Sequence, residues 1–135
     1  MPIYPSSEQI ERLLAGPSDT PVVMVNVLRF KSDADAPDQG MTGQQAYERY
    51  AEGMREVVPA YGGRFVWFGR VDSIVIGDAG ERFDAVALVE YPSRQRFVEM
   101  TQDPRVQEFG EHRAAGLESQ WLIATTAGVV PGGRG

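Results

Sequence analysis

His112 is the chain's single histidine, and no cysteine accompanies it. An imidazole titrates near neutral pH, which suits a general base or an axial haem ligand, but one histidine cannot build a metal site alone. The plainer reading of His112, between Glu111 and Arg113, is a solvated helix position near a C-terminus, where the helix dipole favours a cation. Without cysteine there is no disulfide framework, thiolate metal site or thiol nucleophile, and no metal site is expected. Asn26 is the other residue out of keeping with its surroundings. It interrupts the apolar run VVMVNVLRF (22–30), sharing one side with Met24, Leu28 and Phe30 at period two. A buried amide without a partner costs about 1–3 kcal/mol. Asn26 therefore either holds a neighbouring side chain or bulge, or points its donor and acceptor into a cavity. His112 and Asn26 are the candidate catalytic residues.

A second group has the chemistry of a binding wall. Tyr47, Tyr50 and Tyr61 recur at helical spacing, Trp67 and Phe68 sit in a strand-like segment, and Tyr91 ends another. Aromatics so spaced are ordinarily core, but a buried tyrosine hydroxyl must be satisfied, and several converging on one cavity suit a small aromatic or acidic molecule. Arg64 and Arg113 are candidate charge partners for a carboxylate; as a bland alternative each is a surface or mouth residue. The candidate ligand-binding residues are Tyr47, Trp67, Tyr91, Arg64 and Arg113. Dinucleotide, P-loop, nucleophile-elbow, HExxH and calcium-loop patterns are absent. Ser93 is better explained as a helix cap than as a nucleophile. A net charge of -6 repels a phosphate backbone, so nucleic acid is not an expected partner. No apolar run approaches the roughly 18 residues of a membrane span, and the N-terminus lacks a leader pattern, so a cytoplasmic protein is expected.

The elements that must position these residues follow from periodicity. Ser6 or Ser7 caps a short leading helix carrying Ile10, Leu13 and Leu14, which Gly16-Pro17 stops. Residues 22–30 read as a strand covered on both faces. The acidic stretch 32–40, SDADAPDQG, reads as a surface loop, either a lid or an ornament. Thr42 and Gln45 form a capping box for the strongest helix, which runs to Tyr61 and leaves through Gly62-Gly63. Residues 64–71 and 73–76 form a second strand, long or broken at Gly69, turned by residues 77–80 into a third strand over 83–91. Ser93 caps a helix that Asp103-Pro104 restarts, with Leu117 on its inward side. Residues 120–126 make a last strand, and 127–135 a flexible glycine-rich tail.

The order βαββαβ is that of the ferredoxin-like α+β fold, a four-stranded antiparallel sheet with two helices on one face, here with an extra short N-terminal helix. One domain spans residues 1–135, with its core at about 22–126. The strands are too apolar to leave the other face in water, and the expected cover is a second copy of the sheet, giving a homodimeric α/β barrel.

The stretches Val25–Lys31, Ala46-Tyr47 through Tyr61-Gly62-Gly63-Arg64, Val89-Glu90-Tyr91-Pro92-Ser93 and the Asp103-Pro104 helix start resemble the family named domain of unknown function 1330 (DUF1330), over roughly residues 22–126. The resemblance implies the dimeric α/β barrel superfamily, whose members include cofactor-free monooxygenases, haem-degrading enzymes, chlorite dismutases and small stress-response proteins. Haem-degrading members are similar in placing an asparagine on the first strand and a histidine on the second helix. Their tryptophan before the helix break corresponds here to Met100, and their ligating histidine falls by spacing near Gly110, two positions and about 200° of helix from His112. Haem is therefore disfavoured and no cofactor is expected. The resemblance leaves two functional classes: a small-molecule enzyme without a tightly bound cofactor, monooxygenase- or isomerase-like, and a non-catalytic metabolite-binding or stress-response dimer.

Overall fold

Four short polar signals fix where the helices begin. Ser6 accepts from Gln9 N and Thr42 from Gln45 N, each with the glutamine reaching back to complete a capping box. Ser93 accepts from Arg96 N, and Asp103 caps the last helix with Pro104 just inside it. In the computed structural model, which describes residues 3–77 and 82–128, the elements are α1 (Ser7–Leu14), β1 (Val22–Phe30), α2 (Gly43–Ala60), β2 (Arg64–Arg70), β3 (Ala85–Tyr91), α3 (Arg94–Thr101), α4 (Pro104–Gly116) and β4 (Leu117–Thr125).

All strand pairs are antiparallel, in the order β2-β3-β1-β4. This is the ferredoxin-like α+β fold that the element order predicts. The alternation of β1 sends Val22, Met24, Asn26 and Leu28 toward the helices; the register adds Ala85, Ala87, Val89 and Tyr91 from β3, and Gln120, Leu122 and Ala124 from β4. One buried cluster joins Val22, Met24, Val89 and Tyr91 to Met54, Val57 and Val58 of α2 and Phe97 and Met100 of α3. A second joins Leu28, Ala85 and Leu117. Helices α2 and α4 meet closely where Gly43 and Gly116 bring backbone against backbone, leaving no room for a Cβ at either. Among the described residues no helix is long and apolar enough to cross a membrane.

Several expectations need correction. The second strand stops at Arg70, and residues 73–76 are not strand, because the ladder to β3 ends where Arg70 faces Ala85 and Val71 N donates to Asp84 O. The third strand starts at Ala85 rather than residue 83. Leu117 opens β4 instead of closing α4, and β4 runs from 117 to 125 rather than from 120 to 126. The loop after β1 explains this last change. Its Lys31 N and Asp35 N donate to the carbonyls of Gly116 and Ala115, satisfying the end of α4 from outside and letting the chain turn straight into a strand. Part of the turn between β2 and β3, residues 78–81, and most of the tail, residues 129–135, lie outside the described residues.

The α3–α4 junction carries a charge that stabilises the fold. Asp103 accepts from Arg105 N, Arg105 Nε and Nη2, and the Tyr61 hydroxyl. The Arg105 side chain and backbone, then Tyr61, hold its carboxyl well below the usual carboxylate range. A carboxyl with a depressed folded-state pKa contributes stability above its unfolded value near 3.9 and loses it as the pH falls through the folded value. The stability difference between the wild type and Asp103→Asn, from denaturant melts, should therefore be full at pH 6 and shrink steadily below about pH 4; a difference that is constant with pH would contradict this role.

Candidate functional site

Between the sheet and the helices lies a cavity, about half open to solvent, of about 1720 Å³, lined from the sheet by Met24, Asn26, Leu28, Tyr91 and Gln120 and from the helices by Tyr47, Tyr50, Met54, Phe97, Met100 and Arg113. The N-terminal segment closes one side with Ile3, Tyr4, Ile10 and Leu13. The helical spacing of α2 puts Tyr47, Tyr50, Ala51 and Met54 on the wall, as three- and four-residue steps require. The Tyr47 and Tyr50 rings are 5.4 Å apart, and Phe30 packs 5.3 Å from Tyr47.

A chain of polar side chains crosses the cavity floor. Arg113 of α4 donates from Nη2 to Gln120 Oε1 and to the carbonyl of Ile3, Gln120 Nε2 donates to Asn26 Oδ1 at 2.8 Å, and Asn26 Nδ2 donates to the carbonyls of Ala87 (3.3 Å) and Met24 (3.4 Å). Arg113 also stacks over the Tyr4 ring, 5.3 Å from its centroid. Of the two readings of Asn26, the amide that holds a neighbour is the one the contacts describe: donor and acceptor are both engaged with protein groups. Gln120 is the partner that reading lacked. Its signal is present in β4, where Gln120, Leu122 and Ala124 alternate onto one face and the register sets Gln120 diagonal to Asn26.

The phenols are different. Tyr47, Tyr50 and Tyr91 lie on the wall, with Tyr91 only 4% exposed, yet among the described residues none of their hydroxyls meets a protein partner. Among the described residues the one fully buried side-chain polar atom without a partner is Ser119 Oγ, so the three hydroxyls each border open space. Burial pushes all three above the ordinary tyrosine range; the nearby hydroxyls add to this for Tyr47 and Tyr91, while Arg113 opposes it for Tyr47 and Tyr50. They are neutral O–H donors at physiological pH.

His112 does not join them. Its Nδ1 lies 2.7 Å from Asp38 Oδ2, and Asp38, 2% exposed, also receives Arg49 Nη1 at 2.6 Å. The expectation of His112 as a cavity base is thereby corrected, and so is its plainer reading as a solvated position. The same helix turn that aims Arg113 inward aims His112 at the loop, outside the cavity lining. The acidic loop, read as surface, buries Asp38 and Ala34 against α2 and α4. The structural reason is that backbone donors of this loop end α4. Sequence spacing gives no sign of Asp38 and Arg49, since the three partners come from a loop and two helices. Arg64 is likewise outside the cavity: its side chain is largely exposed and its Nε donates to Glu90 at 2.8 Å. Trp67 reaches only the rim. It faces Leu88 across a bulge, which is the register of the sheet face away from the helices, and it is 59% exposed. Tyr47, Tyr91 and Arg113 are brought together; Trp67, Arg64 and His112 are not. Among the described residues no three metal-ligating side chains converge.

A family model described as domain of unknown function (DUF1330) matches residues 39–127. Among solved structures the chain is similar to a protein of unknown function from Rhodopseudomonas palustris, with 34% identity and a TM-score of 0.87 over 95% of this chain and 98% of that one. At 12% identity it shares its fold with a dimeric protein of unknown function and ferredoxin-like fold from Bacteroides fragilis (TM-score 0.55; 82% and 100% of the two chains). At the same identity it shares the fold of SnoaB, a cofactor-independent oxygenase from Streptomyces nogalater (TM-score 0.54; 82% and 96%). A comparison with curated proteins finds no match.

Two substitutions check the division between floor and loop. Asn26→Leu should destabilise the protein by about 1–3 kcal/mol in denaturant melts, because the part-buried Gln120 loses its acceptor; an unchanged midpoint would mean that the amide chain contributes nothing. Asp38→Ala should cost about 1.5–3 kcal/mol by the loss of hydrogen bonds to charged groups. It should leave the affinity of any cavity ligand unchanged, as measured by calorimetric titration.

Proposed function

Because the chain belongs to the DUF1330 family, whose description assigns no reaction, its function has to be argued from the site, and we propose that it binds a small, largely apolar molecule between sheet and helices. The observation that carries this reading is the set of three phenol hydroxyls facing open space without protein partners. Folding desolvates such groups only at a cost, and a ligand oxygen is the partner that would recover it. The wall around them, Met24, Met54, Phe97 and Met100, is apolar and adaptable, as a small-molecule site requires.

In the enzyme reading, oxygenation or isomerisation without a tightly bound cofactor, the hydroxyls of Tyr47 and Tyr50 would stabilise negative charge developing on a substrate oxygen, with Arg113 behind them. The second reading, a non-catalytic metabolite-binding dimer, is favoured by the commitment of His112 to Asp38, which leaves the inner wall without an imidazole base. The carboxylates on the lining, Glu48, Glu52 and Glu111, are all exposed.

The face of the sheet away from the helices is the second part of the proposal. Trp121 and Ile123 on β4 are 48% and 45% exposed, and Trp67 on β2 is 59% exposed. Apolar groups so grouped mark an interface, and a second copy of this sheet has the matching surface. The Bacteroides fragilis neighbour is described as dimeric. Native mass spectrometry of the purified protein tests both parts at once. The expected result is a species at about twice the 14.9 kDa chain, carrying a small molecule that is released on denaturation. A monomer at micromolar concentration would overturn the dimer. A chain that stays empty after incubation with a broad metabolite extract would overturn the binding reading.

A further inference from the structure

Arg12, Arg55, Arg94 and Arg113 line the cavity, and among the described residues Arg113 alone of these is tied by a side-chain bond to Gln120 of the floor. Among the described residues no carboxylate lies within ion-pair distance of it, although Lys31, Arg49, Arg64, Arg96 and Arg105 each have one. Its two side-chain bonds are to neutral oxygens, those of Gln120 and Ile3, and both leave from Nη2. A guanidinium has five N–H donors in a planar fork, so Nε and Nη1 keep donors with no partner among the described residues. The phenol hydroxyls of Tyr47 and Tyr50, on the same cavity lining, are also donors without a protein partner among the described residues. The end of the cavity at Arg113 is thus rich in donors and carries a fixed positive charge; the carboxylates on the lining, Glu48, Glu52 and Glu111, are exposed, while Met54, Phe97 and Met100 offer only apolar contact.

We propose that the cavity takes an apolar monocarboxylate, with its anion anchored at Arg113 and its apolar body lying toward Met54, Phe97 and Met100. The inference rests on the small-molecule reading above and specifies the chemical class. One carboxylate oxygen takes donors from the free side of the guanidinium, and the other takes the hydroxyls of Tyr47 and Tyr50; carboxylates accept up to four such bonds. A neutral amide of the same shape presents an NH₂ group where the site has only donors, so the site discriminates by charge and by hydrogen-bond direction together. Arg113 also holds the carbonyl of Ile3 and the ring of Tyr4, so the anion is bound by the same side chain that fastens the N-terminal segment over the cavity.

The test is calorimetric titration of the intact protein with straight-chain and phenyl-substituted monocarboxylates of graded length, each beside its primary amide. At least one acid should bind roughly 10- to 100-fold tighter than its amide, the range expected for a charge-assisted pair. Arg113→Gln should abolish the difference while lowering amide affinity much less. Because Arg113 also supports Gln120, Tyr50→Phe serves as a second variant: its hydroxyl has no protein partner, so the fold should be unaffected while acid affinity falls several-fold. Equal affinity for acid and amide would overturn the carboxylate assignment and leave the small-molecule reading standing. Binding of neither across the whole series, with a metabolite from an extract still retained, would likewise reject the anion. Binding of nothing at all would remove both.

Discussion

A one-way chain of hydrogen-bond donors ties the last helix to the sheet, and the shape of the interior depends on it. Arg113 can only donate, the backbone carbonyl of Ala87 can only accept, and the two amides between them, Gln120 and Asn26, must each be oriented to pass the bond along. No alternative orientation satisfies all four groups. The chain crosses the floor between the cluster around Met24 and Tyr91 and the cluster around Leu28 and Leu117. A hydrophobic residue at position 26 would let these two clusters merge. A polar strip in an apolar interior costs desolvation, and here it keeps space open where a bland core would close it.

The loop after β1 makes the corresponding attachment on the other side of α4. Its backbone donors close the helix end, and Asp38 draws Arg49 of α2 and His112 of α4 to one carboxylate. Neighbouring residues of a single helix turn thus serve opposite purposes: His112 fixes the loop, and Arg113 reaches into the cavity. Backbone contact between Gly43 and Gly116 fixes the spacing of the same two helices, so α4 is located by three independent contacts before any ligand is considered.

How much of this was legible in the sequence depended on how local the determinant was. The capping boxes at Ser6 and Thr42 act within one turn and were readable directly. The four strands were readable from their apolar, aromatic and β-branched runs, and their order from the ferredoxin-like pattern. That Asn26 needed a partner followed from its apolar neighbours, but Gln120 lies 94 residues away and only the register brings it into reach. Tyr47 and Tyr91 could be placed on an inner wall by spacing. Trp67 could not, because the register shift between Phe65 and Trp67 moves every later side chain of β2 to the opposite face. The direction of His112 was beyond periodicity for a related reason: its partner sits in a loop, where composition suggested solvent and the need to cap α4 imposed burial.

The aromatic residues are divided by chemistry between the two faces of the sheet. Both tryptophans, Trp67 and Trp121, belong to the face away from the helices, Trp121 with its edge against Phe83, whereas the cavity wall carries tyrosines. The two faces therefore report through different chromophores. Trp121 emission follows whatever covers the outer face, tyrosine absorbance follows what enters the interior, and Trp67 at the cavity rim senses both. The unmodified protein thus carries optical probes of assembly and of ligand entry that need no label, and replacing Trp67 would leave Trp121 to report on assembly alone.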